Sequence, residues 1–274
     1  MPRLLNYMYN FKISRIDDCS LNRIASLPVD HEQAACNSFH SNGELLAFIC
    51  FNTLDSSHNY KHCYTFKPEG NIVQSFVIDS LYSHRWTQIV NLDNNLFVTG
   101  SWNPNSYKTE IFQFSTQTWV EKADYPGHVI SDYAAIALSS SVYIFGGYYN
   151  AAAVSRVARF ESNAWSIVGQ MQGGRRGHQV VDRGDYIFIV GGNSYNRRTE
   201  KWDLASNSSI EIGAELSHFA YYPPLHIVHQ DHCSPCVTDC DGGVCVNVDG
   251  NRHCQCSDGF TNQDGKISNP CQPN

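Results

Sequence analysis

The chain has 274 residues, 42% of them hydrophobic and only 16% charged, which is ample for a large buried core and too apolar for a disordered chain. The formal net charge is -7 and there is no run of Lys or Arg, so neither a nucleic-acid backbone nor an anionic lipid surface is an expected partner. No stretch approaches the ~18 consecutive apolar residues of a membrane span, and the opening Met1-Pro-Arg-Leu-Leu-Asn-Tyr-Met8 lacks the apolar run of a secretory signal.

The eleven cysteines divide the chain. Cys19, Cys36, Cys50 and Cys63 lie in the first quarter, seven more lie from Cys233 to Cys271, and the 169 residues between the two groups have none. Such a break marks a middle held by a hydrophobic core and a tail held by covalent links. The adjacent Pro223 and Pro224 stiffen the chain and cannot donate ladder hydrogen bonds, which puts the boundary near them. Two domains are expected, 1–229 and 230–274.

In the first domain, short β-rich runs ending in glycine recur in order: Leu96-Phe-Val-Thr-Gly100, Val142-Tyr-Ile-Phe-Gly146-Gly147 and Tyr186-Ile-Phe-Ile-Val-Gly191-Gly192. The last glycines are 47 and 45 residues apart, and an earlier run, Leu45 to Asn52, ends 48 residues before Gly100. Asn52 stands where the others have glycine, and Asn is the next most tolerant residue for φ > 0. After each glycine a residue such as Phe66, Phe114, Phe160 or Leu204 is followed five or six positions on by Ile72, Trp119, Trp165 or Ile210, opening another strand. Self-similarity near 50 residues with four short strands per unit is the pattern of propeller blades.

The glycine doublet with a spaced Trp, carried by Gly146-Gly147 with Trp165 and by Gly191-Gly192, resembles the kelch family and implies an all-β, kelch-type β-propeller. Gly100, Gly146, Gly147, Gly191, Gly192, Trp119 and Trp165 are then scaffold: the glycines turn the backbone beside the channel and the aromatics fill the space between sheets. Four units are complete, with inner halves near 33–51, 85–100, 131–147 and 176–192, and residues 5–24 resemble the outer half of another. Either residues 218–229 complete that partial blade, so that both termini close the ring, or the chain is a piece of a longer propeller; the second is favoured.

The tail, Cys236-Val-Thr-Asp-Cys240-Asp-Gly-Gly-Val-Cys245, then eight residues to Cys254, one to Cys256 and fourteen to Cys271, with Gly259-Phe260 after the close pair, resembles an EGF-like domain. Spacing alone leaves fifteen pairings for six cysteines. The resemblance implies Cys236 with Cys245, Cys240 with Cys254, and Cys256 with Cys271. Zinc held by Cys233, Cys236, Cys254, Cys256 and the nearby His229, His232 and His253 is the alternative suited to a reducing compartment. Cys233-Ser-Pro-Cys236 has redox spacing but no βαβ surroundings. Asn247 alone fits the calcium-binding variant of the module, so no calcium site is expected. In the first domain Cys50 and Cys63 fall on consecutive strands and are a candidate bridge, as are Cys19 and Cys36. Asn207-Ser208-Ser209 is a glycosylation sequon in a turn between outer strands.

No hydrolase elbow, metalloprotease helix or phosphate loop occurs, and the residues of galactose-oxidase-like copper enzymes have no one-by-one match, so no catalytic residue, metal or cofactor is expected. His84, Gly127-His128, Arg175-Arg176-Gly177-His178 and Ser217-His218 recur near the starts of inner strands, where packing at equivalent blade positions explains them. Arg175, Arg176, Arg197 and Arg198 are candidates to line one face and grip acidic groups of a partner. The expected function is extracellular recognition of a protein or glycan ligand by propeller loops and the EGF-like module, without catalysis; the alternatives are an intracellular kelch adaptor and, below it, the copper enzyme.

Overall fold

The computed structural model describes residues 3–4, 12–17, 20–26, 35–41, 44–52, 60–67, 72–75, 78–102, 107–127, 130–193, 198–215, 243–248, 251–256, 260–261 and 272–273. All the regular structure among them is β. Strands β1 (Arg3–Leu4), β2 (Lys12–Asp17) and β3 (Ser20–Ser26) form a three-stranded sheet in that order. Blade I follows, with β4 (Ala35–Ser41), β5 (Glu44–Asn52), β6 (His62–Lys67) and β7 (Ile72–Ser75). Blade II has β8 (Val90–Leu92), β9 (Asn95–Thr99), β10 (Thr109–Gln113) and β11 (Thr118–Lys122). Blade III has β12 (Ala134–Leu138), β13 (Ser141–Phe145), a small ribbon of β14 (Tyr148–Tyr149) and β15 (Ala152–Ala153), then β16 (Arg156–Glu161) and β17 (Ala164–Gln170). Blade IV has β18 (Arg176–Asp182), β19 (Tyr186–Asn193), β20 (Arg198–Asp203) and β21 (Ser208–Glu215). Each blade is a four-stranded antiparallel meander, so the four complete units read from the repeat are four blades. The partial unit at residues 5–24 differs from expectation: three strands are paired there instead of two, because Arg3 and Leu4 add to the edge of β2. Residues 218–229 lie outside the described residues.

Alternation along the central strands explains why their sequences read as unbroken apolar runs. Successive side chains point to opposite faces of a sheet, and in stacked blades both faces are buried. In β9, Leu96 and Val98 join Phe48, Cys50 and Phe51 of blade I in one core cluster, while Phe97 joins Val142, Ile144 and Phe160 of blade III in the next. In β13, Tyr143 and Phe145 turn instead to Ile187, Ile189 and Trp202 of blade IV. Among the described residues the core is therefore three slabs between adjacent blades. Tight two-residue turns close the far ends of the hairpins: Asp93-Asn94 and Ser162-Asn163 all have φ between 50° and 60°, the left-handed pairs that match strand twist.

The outer-strand tryptophans tie each blade to the one before. Trp119 Nε1 donates to the Ile78 carbonyl (3.3 Å) beyond β7, and Trp165 Nε1 donates to that of Ala123 (2.9 Å) beyond β11. Blade IV departs from the pattern. Its Trp202 sits on the third strand, fully buried, and Nε1 has no hydrogen-bond partner, while Ile210 on β21 is 57% exposed. Ile210 opens the outer part of this blade as the repeat implies but stays on the surface, because the Trp202 indole already fills the slab against Phe145, with rings 5.7 Å apart.

Contacts divide the chain into two units, Met1–Ile16 with Leu21–Leu225, and Asp17–Ser20 with His226–Asn274. In the second, β22 (Gly243–Val248) and β23 (Asn251–Cys256) form a hairpin whose register sets Cys245 opposite Cys254. Short strands β24 (Phe260–Thr261) and β25 (Gln272–Pro273) pair separately.

Candidate functional site

In an antiparallel meander, the connection entering the first strand and the connection between the second and third strands lie at the same end of the blade. Backbone hydrogen bonds lock these connections from blade to blade. The Asp132 N–H donates to the Trp86 carbonyl and the Gly177 N–H to that of Asp132, both at 2.7 Å, so positions 86, 132 and 177 are equivalent in blades II, III and IV. All three have left-handed backbone, with φ of 56°, 54° and 60°. The glycine ends serve the same junction: Gly147 (φ 112°) donates its N–H to the Arg175 carbonyl at 2.7 Å, and a Cβ there would lie 2.8 Å from the Ser131 carbonyl oxygen.

This end carries a band of aromatic rings and guanidinium groups. Arg85 lies over Tyr60 (4.9 Å) and over Trp86 (4.7 Å); Trp86 meets Trp102 at 4.5 Å; Trp102 stacks on Tyr148 at 5.2 Å with planes 10° apart; and Arg176 lies over Tyr148 at 4.0 Å. The band crosses from blade I to blade IV. Asp132 and Gly177 suit a left-handed backbone, whereas a bulky Trp86 is strained in it, so the scaffold has no need of Trp at that position. Its ring is what joins the band. Of the seven exposed large apolar side chains among the described residues, Ile78, Leu81, Trp102 and Tyr107 lie in these connections around blade II. A clustered apolar surface beside paired cations is what recognition surfaces offer.

Beneath the band, two buried carboxylates, each facing a basic side chain, occupy matching positions. In blade II, His84 Nδ1 faces the Gly100 carbonyl at 2.6 Å, which can only accept, so that nitrogen carries a proton; Nε2 is 2.6 Å from Glu110 Oε1. Glu110 also accepts the N–H groups of Leu81 (2.9 Å) and Tyr82 (3.3 Å). In blade IV, Arg175 donates through Nε and Nη2 to Glu200 Oε1 (3.0 and 2.8 Å) and through Nη1 to the Gly191 carbonyl (3.0 Å). Glu200 Oε2 accepts the Gln172 N–H (2.9 Å) and the Ser209 hydroxyl (2.6 Å). Strand register makes Glu110, Ala158 and Glu200 equivalent, opposite Val98, Ile144 and Ile189. Blade III thus replaces the ion pair with Ile130 and Ala158, both buried. In blade I the matching strand pair carries Cys50 and Cys63, which face each other across β5 and β6 and are joined by a disulfide.

The four candidate arginines do not form one face. Arg176 belongs to the band. Arg175 is corrected: it is 1% exposed and its fork is committed to Glu200, because the side chain turns inward where that of Arg176 turns outward. Arg197 lies outside the described residues, and Arg198 is placed only as the first residue of β20. The histidines are not equivalent either. His84 matches Ile130 and Arg175, whereas His178 matches Thr87 and Tyr133. His178 is wholly buried, neither ring nitrogen has a partner at normal hydrogen-bond geometry, and burial with the nearby Arg175 charge pushes its pKa down to about 3. His128 and His218 fall outside the described residues, as do Cys19, Cys236, Cys240 and Cys271. Cys36 lies on β4, and Cys245, Cys254 and Cys256 on β22 and β23. Asn207 lies in the turn between β20 and β21 at φ 51°. Gly100, Gly146, Gly191 and Gly192 share the left-handed φ of Gly147. Among the described residues no group of three or more His, Cys, Asp or Glu is placed to hold a metal ion, and no helix is long and apolar enough to cross a membrane. Trp86, Trp102 and Tyr148 are site residues that the sequence does not single out. The only signal for them is an aromatic next to or two beyond an inner-strand glycine, or four before an inner strand opens.

No protein-family model matches the chain. Over 98 residues it is 34% identical to Kelch-like protein 35 of Mus musculus and 33% identical to Kelch-like protein 35 of Homo sapiens. Each match takes in 34% of this chain, and they cover 17% and 16% of those relatives, so the chain spans a small part of their length. Among solved structures, that of YjhT superposes with a TM-score of 0.64 at 12% identity, over 89% of this chain and 83% of that one. The fold is an all-β propeller of four-stranded blades, part of which is similar in sequence to Kelch-like protein 35. At that identity the YjhT likeness bears on architecture alone.

Proposed function

We propose that this chain is a recognition protein rather than an enzyme, and that it binds a protein ligand through the loop face carrying Arg85, Trp86, Trp102, Tyr148 and Arg176. The observation that carries the reading is the ring and guanidinium band, with Trp102 at its middle and 40% exposed. Aromatic and arginine side chains set together at the centre of a patch are the usual energetic anchors of an interface. The likeness to Kelch-like protein 35 supports the same reading. The test is to pan a displayed random-peptide library on the full chain and re-test recovered clones on Trp102→Ala. Dependence on Trp102 supports the assignment, and equal binding to both proteins overturns it.

The finer reading places the protein outside the cell, with residues 1–229 as the propeller and 230–274 as an EGF-like module that serves as spacer or second contact, and with a glycan on Asn207. The buried Cys50–Cys63 disulfide and the cysteine spacing of the tail support an oxidising compartment. Kelch-like protein 35 is the observation that favours a second reading, an intracellular adaptor. Intact mass after alkylation with and without reductant, on protein from its natural source, separates the two: three bridges in the tail favour the first, and free thiols throughout favour the second.

A further inference from the structure

The two guanidinium groups of the band arrive on different connections, and each connection is gripped from below by one buried carboxylate. Residues 78–89 carry Arg85 and Trp86; their backbone N–H groups at Leu81 and Tyr82, and the ring of His84, all close on Glu110. Residues 171–176 carry Arg176; the Gln172 N–H and the Arg175 guanidinium close on Glu200. Blade III shows that the same site in the fold is satisfied by Ile130 and Ala158, with no carboxylate and no ion pair. It contributes no guanidinium to the band: the residue matching Arg85 and Arg176 is Ser131, whose N–H is 3.4 Å from the Tyr148 carbonyl. Where a cation must be presented, a carboxylate is found; where none is presented, an apolar pair serves.

We propose that Glu110 and Glu200 are positioning residues of this face, each fixing from the third strand of its blade the connection that presents one ring-stacked guanidinium to the ligand. The proposal rests on the reading above that this face is where the ligand binds. A carboxylate suits the task because its two oxygens accept several N–H donors at once and tolerate no slippage of the segment that supplies them. A buried pair of this kind adds little net stability over an apolar pair of similar volume, so its role is geometric.

The deciding experiment copies blade III into blade IV. The full chain carrying Arg175→Ile with Glu200→Ala is compared with wild type for unfolding midpoint, for amide exchange at Gln172, and for affinity toward peptides selected by the library experiment. The expected result is a nearly unchanged midpoint, at least tenfold faster exchange at Gln172, and about tenfold weaker peptide binding. Glu110→Gln is the second variant: one of its side-chain atoms becomes a donor facing donors, and exchange at Leu81 and Tyr82 should rise at least tenfold while β5 and β6 are unchanged. Unaltered exchange at these amides in both variants overturns the positioning role, whatever the peptides do. Loosened loops with unchanged affinity for Trp102-dependent peptides also overturn it. If no peptide depends on Trp102, the recognition reading fails on its own, and the exchange data still decide whether the carboxylates hold the loops.

Discussion

Blade III and blade IV solve the same packing problem with different chemistry. Ile130 and Ala158 fill in one what Arg175 and Glu200 fill in the other, at the same strand register and under the same backbone bonds. The difference teaches that a propeller blade does not require an ion pair beneath its loops; the pair is an addition, costly to desolvate and stringent in geometry. Blade IV differs again in its indole, which moved from the outer strand to the third and lost the inter-blade hydrogen bond that Trp165 makes.

The comparison is broken most forcefully by removing half of the pair. Arg175→Met leaves Glu200 buried with an uncompensated charge and should cost about 3–5 kcal/mol in denaturant unfolding, whereas the Arg175→Ile, Glu200→Ala double variant should lie within about 1–2 kcal/mol of wild type. If the single and double variants lose the same stability, the equivalence with blade III is wrong.

His178 provides a pH test in the same blade. Its folded pKa is depressed to about 3 while the unfolded value stays near 6.5. The folded state therefore binds fewer protons, stability is whole above the unfolded value, and it falls as acid drives protonation of the unfolded chain. Relative to His178→Leu, wild type should lose about 1.4 kcal/mol per pH unit below pH 6, flattening near the folded value. Parallel pH profiles for the two proteins would contradict the burial of a neutral imidazole.

Glycines at the two ends of the blades should separate next. Gly147→Ala meets the Ser131 carbonyl at 2.8 Å with φ at 112° and should cost about 2–3 kcal/mol; Gly184→Ala, with φ at 81° and nothing within 4 Å, should cost about 1 kcal/mol. The smallest effect is expected at the tryptophans. Trp165→Phe removes the bond to Ala123 and should cost about 1 kcal/mol beyond the volume change that Trp202→Phe also incurs, since the Trp202 N–H has no partner to lose. Thermal unfolding of the pair measures that margin.

Much of the architecture was legible because blade strands carry strong local signals. Val142 to Gly147 and Tyr186 to Gly192 combine unbroken apolar runs with left-handed turns, and both features arise from short-range constraints. The site was less legible. Arg175 and Arg176 are neighbours in the chain, yet one is sealed under the loop and the other stacks on Tyr148, a distinction of side-chain direction at a strand end. The grouping of His84 with His178 failed similarly, since backbone bonds between blades, not sequence offset, define which positions match.

By itself the sequence determined that this protein is a β-repeat with a separate cysteine-rich tail, because apolar period, glycine placement and cysteine spacing act over a few residues. Only the tertiary structure decided that Tyr60, Arg85, Trp86, Trp102, Tyr148 and Arg176 form one band, and that Glu110 and Glu200 lie beneath it. Those residues are as much as 116 positions apart in the chain, from Tyr60 to Arg176, and are joined by the stacking of one blade on the next, which no local pattern encodes.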